Sequence, residues 1–102
     1  MLDLKLFMQP ATEQKLKKIL NTVTDGESFA QGIIDYQIKE LQQSSLNLKL
    51  DLDEFEKKYQ MSSELFYEQF SQGKLGDETD FIIWSGLVEM LRYNQAQLLM
   101  LK

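Results

Sequence analysis

The sequence predicts a mainly α-helical chain led by one short strand, and three observations carry that expectation. Residues 2–9 alternate apolar and polar side chains. Beyond them, apolar residues recur at steps of three and four. Pro10, Asp25-Gly26 and the stretch from Gly73 to Gly76 punctuate the pattern. The expected order is a strand, a short helix, a long helix, a second short helix, and a C-terminal helix that folds back on the long one as a hairpin. A chain of 102 residues has room for one small domain, or one plus an arm.

In the strand, Leu2, Leu4, Leu6 and Met8 face one way, and Asp3, Lys5, Phe7 and Gln9 the other. Pro10 ends it and suits the start of a helix. With Thr12 as cap, that helix runs to about Val23 on an apolar face of Leu16, Ile19, Leu20 and Val23; Lys15, Lys17 and Lys18 lie off the stripe. Asp25-Gly26 breaks it, with Gly26 suited to a left-handed turn. Ser28 then caps a second helix, in which Gly32 implies close packing because glycine weakens a helix interior. From Ser44 two readings compete. Leu46, Leu48, Leu50 and Leu52 alternate as in a strand. Yet Ile34, Ile38, Leu41, Ser45, Leu48, Leu52, Phe55 and Tyr59 fall on one heptad seam. The longer pattern favours one helix over about 28–59, roughly 45–50 Å long, with the strand as the alternative. Ser62 caps a short helix bearing Leu65, Phe66 and Phe70. Asp77 starts the last helix, whose apolar face is Phe81, Trp84, Leu87, Val88, Leu91, Leu98 and Leu101.

Composition narrows the function. The chain has no histidine and no cysteine. It therefore lacks the commonest general acid–base, the commonest metal ligands and any disulfide. The expectation is a binding protein rather than an enzyme, without catalytic residues, metal, cofactor or small-molecule substrate. No apolar run is long enough to span a bilayer and no secretory signal opens the chain, so a cytoplasmic location without membrane contact is expected. Charge is uneven. Residues 1–43 hold five basic and six acidic side chains, a net of −1; residues 44–102 hold six and ten, a net of −4. Any affinity for phosphate must therefore come from the first part. The expected organisation is a module over 1–43 and an acidic helical hairpin over 44–102.

A lone strand needs a partner, and the economical one is the same strand of a second copy. The order of strand, Pro10, helix, Asp25-Gly26 and helix over residues 2–43 resembles the ribbon-helix-helix family of dimeric DNA-binding proteins. That resemblance implies a homodimer whose ribbon enters the major groove of operator DNA. It places Lys5, Phe7 and Gln9 against bases and Ser28, at a helix N-terminus, against a phosphate. Dimerisation alone is the competing use of the ribbon.

A second resemblance covers residues 48–92. Phe55, Tyr59 and Met61-Ser62-Ser63 lead into Phe66-Tyr67; Gly73, Leu75-Gly76-Asp77, Asp80-Phe81 and Trp84 follow. This resembles a family of small bacterial antitoxin-like proteins and implies a toxin as protein partner. The aromatics in this stretch are read first as a mini-core. Lys74, Leu75, Asp77 and Glu78 lie on the connecting turn and are the candidate partner-binding residues. Glu64, Glu68, Asp77, Glu78 and Asp80 suit a basic partner. The functional expectation is a dimeric antitoxin and repressor. The alternative is a dimeric helical adaptor with no DNA role.

Overall fold

The computed structural model describes residues 8–22 and 25–102. Among the described residues the backbone forms four helices and no strand: α1 (Pro10–Thr22), α2 (Gly26–Tyr59), α3 (Ser63–Ser71) and α4 (Thr79–Leu101). The strand-led, ribbon-helix-helix-like fold class is thereby corrected to a mainly helical one with no strand among the described residues. Residues 2–7 of the expected strand, with Lys5 and Phe7, lie outside the described residues. Its described end is already turning into a helix, since the Gln9 carbonyl accepts the Glu13 amide at 3.0 Å. Pro10 therefore opens α1, two residues ahead of the expected Thr12 cap, because its fixed φ and missing N–H suit a first helical position. No described segment offers a strand for residues 8 and 9 to pair with.

The chain divides into two compact units, Met1–Asp35 and Tyr36–Lys102, with the boundary inside α2. In the first, the start of α2 departs from expectation. Gly26 is helical rather than left-handed, and Asp25 is the cap. Its carboxylate accepts the amides of Glu27 and Ser28 at 3.1 and 3.2 Å and the Ser28 hydroxyl at 2.6 Å. A β-carbon on Gly32 would meet open space, so close packing is not the reason for that glycine. Along α1, Leu16 is half-buried, while Ile19 and Leu20 are exposed.

The second unit holds the core. From Tyr36 onward, Ile38, Leu41, Ser45, Leu48, Leu52, Phe55 and Tyr59 are the buried or half-buried seam of α2, whereas Leu46 and Leu50 are exposed. The apparent strand alternation thus comes from two inward and two outward leucines of one helix. α2 ends at Gln60, which adopts φ +52°. The Met61 amide then donates to the Glu56 carbonyl at 3.2 Å, and the Met61 side chain packs on the core. That is a Schellman ending.

Ser62, extended, accepts the Leu65 amide at 3.2 Å and so caps α3 as expected. α3 stops at Gly73, whose φ of +74° suits glycine, with Gly73 N–H to Phe70 C=O at 3.1 Å and Lys74 N–H to Gln69 C=O at 3.0 Å. α4 then returns antiparallel to α2. Near its start Asp80 meets Lys58 and Tyr59, and fourteen residues on Asn94 donates to the Ser44 hydroxyl at 3.0 Å. Between these ends sit Leu52, Phe66, Trp84 and Val88. Phe66 lies flat on Trp84, centroids 3.9 Å apart and planes 3° from parallel, with Phe55 and Tyr59 at 5.5 and 5.6 Å. Removing a buried aromatic of this kind costs about 3–5 kcal/mol.

Candidate protein-binding site

The segment between α3 and α4 is short, ordered at both ends and outward-facing. The Schellman ending fixes its entry at Gly73 and Lys74. Its exit is fixed at Glu78, whose carbonyl accepts the amides of Phe81 and Ile82 at 2.9 and 3.0 Å. Between them Leu75 is half-buried against the core, while Lys74, Asp77 and Glu78 are exposed. Asp77 does not start α4, as the sequence implied; it stays in the turn, and Glu78 caps the helix through its backbone alone. The Glu78 carboxylate makes no capping bond and remains available. At the other end of α3, Leu65 is exposed between Glu64 and Glu68. The two patches thus pair apolar side chains, Leu65 and Leu75, with exposed acidic neighbours.

The acids do not all belong to it. Asp80 accepts from Lys58 Nζ at 2.7 Å and from the Tyr59 hydroxyl at 2.6 Å. These two hydrogen bonds, Lys58 first, hold the Asp80 carboxyl below its ordinary 3.8. The same contact pushes Lys58 and Tyr59 above their ordinary values, chiefly through their hydrogen bonds to Asp80. Asp80 is a strut between α2 and α4. A second strut joins α3 to α4. The Tyr67 hydroxyl donates to Glu89 at 2.8 Å, which raises the Tyr67 value, and Arg92 lies 4.5 Å above the Tyr67 ring. Neither was legible in the sequence, because the partners lie 21 or more residues apart.

The expected DNA-contacting residues are not gathered. Lys5 and Phe7 lie outside the described residues. Gln9 is exposed at the mouth of α1. Ser28 lies in the first turn of α2, its amide and hydroxyl both engaged by Asp25, so a carboxylate already occupies the place of the expected phosphate. Hydrogen bonds from Ser28 hold Asp25 below its ordinary value. Among the described residues no three His, Cys, Asp or Glu side chains come together as a metal site, and no helix is long and apolar enough to cross a membrane.

Compared with known proteins, the chain matches no family model, no curated protein and no solved structure.

Proposed function

We propose that this chain is a protein-binding adaptor whose partner docks on the outer face of α3 and the turn that follows it. The observation that carries the reading is the combination at that turn. Leu75 is anchored in the core, and Lys74, Asp77 and Glu78 stand exposed on a segment pinned at both ends. A pinned turn loses little freedom on binding, and exposed charges steer a partner of opposite sign. The antitoxin-like resemblance of residues 48–92 makes a basic toxin the first partner to test. Operator binding through a ribbon drops out, because Gln9 leads into α1 and the Ser28 amide and hydroxyl are taken by Asp25.

The test is calorimetric binding between the purified chain and the protein encoded beside it. Replacing Glu64→Lys, Glu68→Lys and Asp77→Lys together should weaken the complex by more than about tenfold while helical circular dichroism stays unchanged. Unaltered affinity in a folded triple variant would move the partner elsewhere.

A further inference from the structure

Three sides of α4 can be told apart by what they touch. One carries Asp80 and Asn94 to α2. Another carries Glu89 and Arg92 to Tyr67 of α3. The third carries Ile83, Gly86, Met90, Tyr93, Gln97 and Met100, spaced by three, four, three, four and three residues. Met90, Tyr93 and Met100 there are 54%, 64% and 78% exposed, and a β-carbon on Gly86 would meet nothing. A second apolar stripe on a helix whose first is already buried is a surface that gains by being covered. A heptad stripe is the cover-seeking pattern of helix pairs.

We infer that this face is where a second copy of the chain docks, its α4 running antiparallel across a two-fold axis between Met90 and Tyr93. The stripe is complementary to itself in that register. Positions equidistant from the axis oppose one another, so Met90 meets Tyr93 of the second copy, a favourable sulfur–aromatic pair. Ile83 meets Met100, and the long Gln97 side chain enters the notch at Gly86. Charge selects the same direction. Asp77 and Glu78 stand exposed ahead of α4, Asp80 being taken up by Lys58, and Lys102 follows its end. A parallel pair stacks acids on acids; the antiparallel pair brings Lys102 beside the partner copy's acids. The strip measures about 25 Å by 10 Å, below the roughly 800 Å² per partner of a standard interface. The dimer is therefore weak and concentration-dependent. This inference is independent of the partner surface on α3 and of the ribbon dimer expected from sequence.

Sedimentation of the full chain up to about 200 µM should show the mass rising from 12.0 kDa to twice that value. Met90→Glu should weaken the association at least about tenfold, with circular dichroism and Trp84 fluorescence unchanged as proof of folding. Because the chain has no cysteine, orientation can be read by oxidation. A mixture of Gly86→Cys and Gln97→Cys variants should cross-link, and Gly86→Cys alone should not. A monomer throughout the range, a folded Met90→Glu variant that dimerises as well as the parent, or cross-linking of Gly86→Cys with itself each overturns the inference.

Discussion

Ser63 joins three elements through two hydrogen bonds. Its amide donates to Glu56 at 2.8 Å, and its hydroxyl accepts the Trp84 indole N–H at 2.9 Å inside the core. Trp84 is fully buried, so the indole has no water to fall back on. Ser63→Ala should cost about 1–3 kcal/mol in urea unfolding, the penalty of a buried donor left without a partner. A loss under half a kilocalorie would mean that the indole finds another acceptor. Asp80 makes a different prediction, about pH. Its carboxyl is held below 3.8 in the folded chain, so the folded state binds that proton less tightly than the unfolded one. The stability it contributes is complete above the unfolded value. It is lost as the pH falls through the folded value, below about pH 4. Asp80→Asn should therefore lower stability at neutral pH and flatten the acid limb of the curve. Parallel acid limbs in parent and variant would remove the strut from the account.

At the scale of the element, α2 shows what a sequence reveals and what it hides. The seam from Ile38 to Tyr59 was readable because burial on one side of a helix leaves a period of three and four. Ser62 was readable as a cap because its chemistry is local. The start of α2 is not legible in the sequence, because Asp25 and Ser28 are both good caps and only the backbone decides which one stands outside the helix. The described end of the expected strand, Met8 and Gln9, leads into α1 instead, because alternation does not supply the neighbour that a strand requires. Of the candidate site, the turn residues Lys74, Asp77 and Glu78 were legible from glycine punctuation. Leu65 facing outward, and the struts at Asp80 and Glu89, were not, since each depends on which helix lies opposite. The α2 seam also contains an imperfection that can be tested. Ser45 is buried at a core position and its hydroxyl has no partner among the described residues. Ser45→Ala should stabilise the chain by about 1 kcal/mol, because it removes a desolvated hydroxyl while keeping a small side chain. The midpoint of thermal unfolding should rise by about 4–8 °C. A lower midpoint would show that the hydroxyl is satisfied in solution.

For the molecule as a whole, the described core lies entirely in the unit Tyr36–Lys102. Its hairpin closes over unequal spans of chain. The contacts of Asp80 with Lys58 and Tyr59 are separated by 22 and 21 residues, whereas Asn94 and Ser44 are separated by 50. Loop-closure entropy grows with the logarithm of the span, so making the far contact first costs about 0.7 kcal/mol more than making the near one. The near end also gathers Phe66, Trp84 and Tyr59, which gain most by meeting early. Folding should therefore begin at the elbow and zip outward along the two helices. Mutations at Phe66 should slow refolding in proportion to the stability they remove, with φ-values well above one half. Mutations at Asn94 should chiefly speed unfolding, with φ-values near zero. The reverse ranking in a chevron experiment would place the nucleus at the open end. On this route the two helix endings at Gln60 and Gly73, static features of the folded chain, become the hinge about which the search for the native state is shortened.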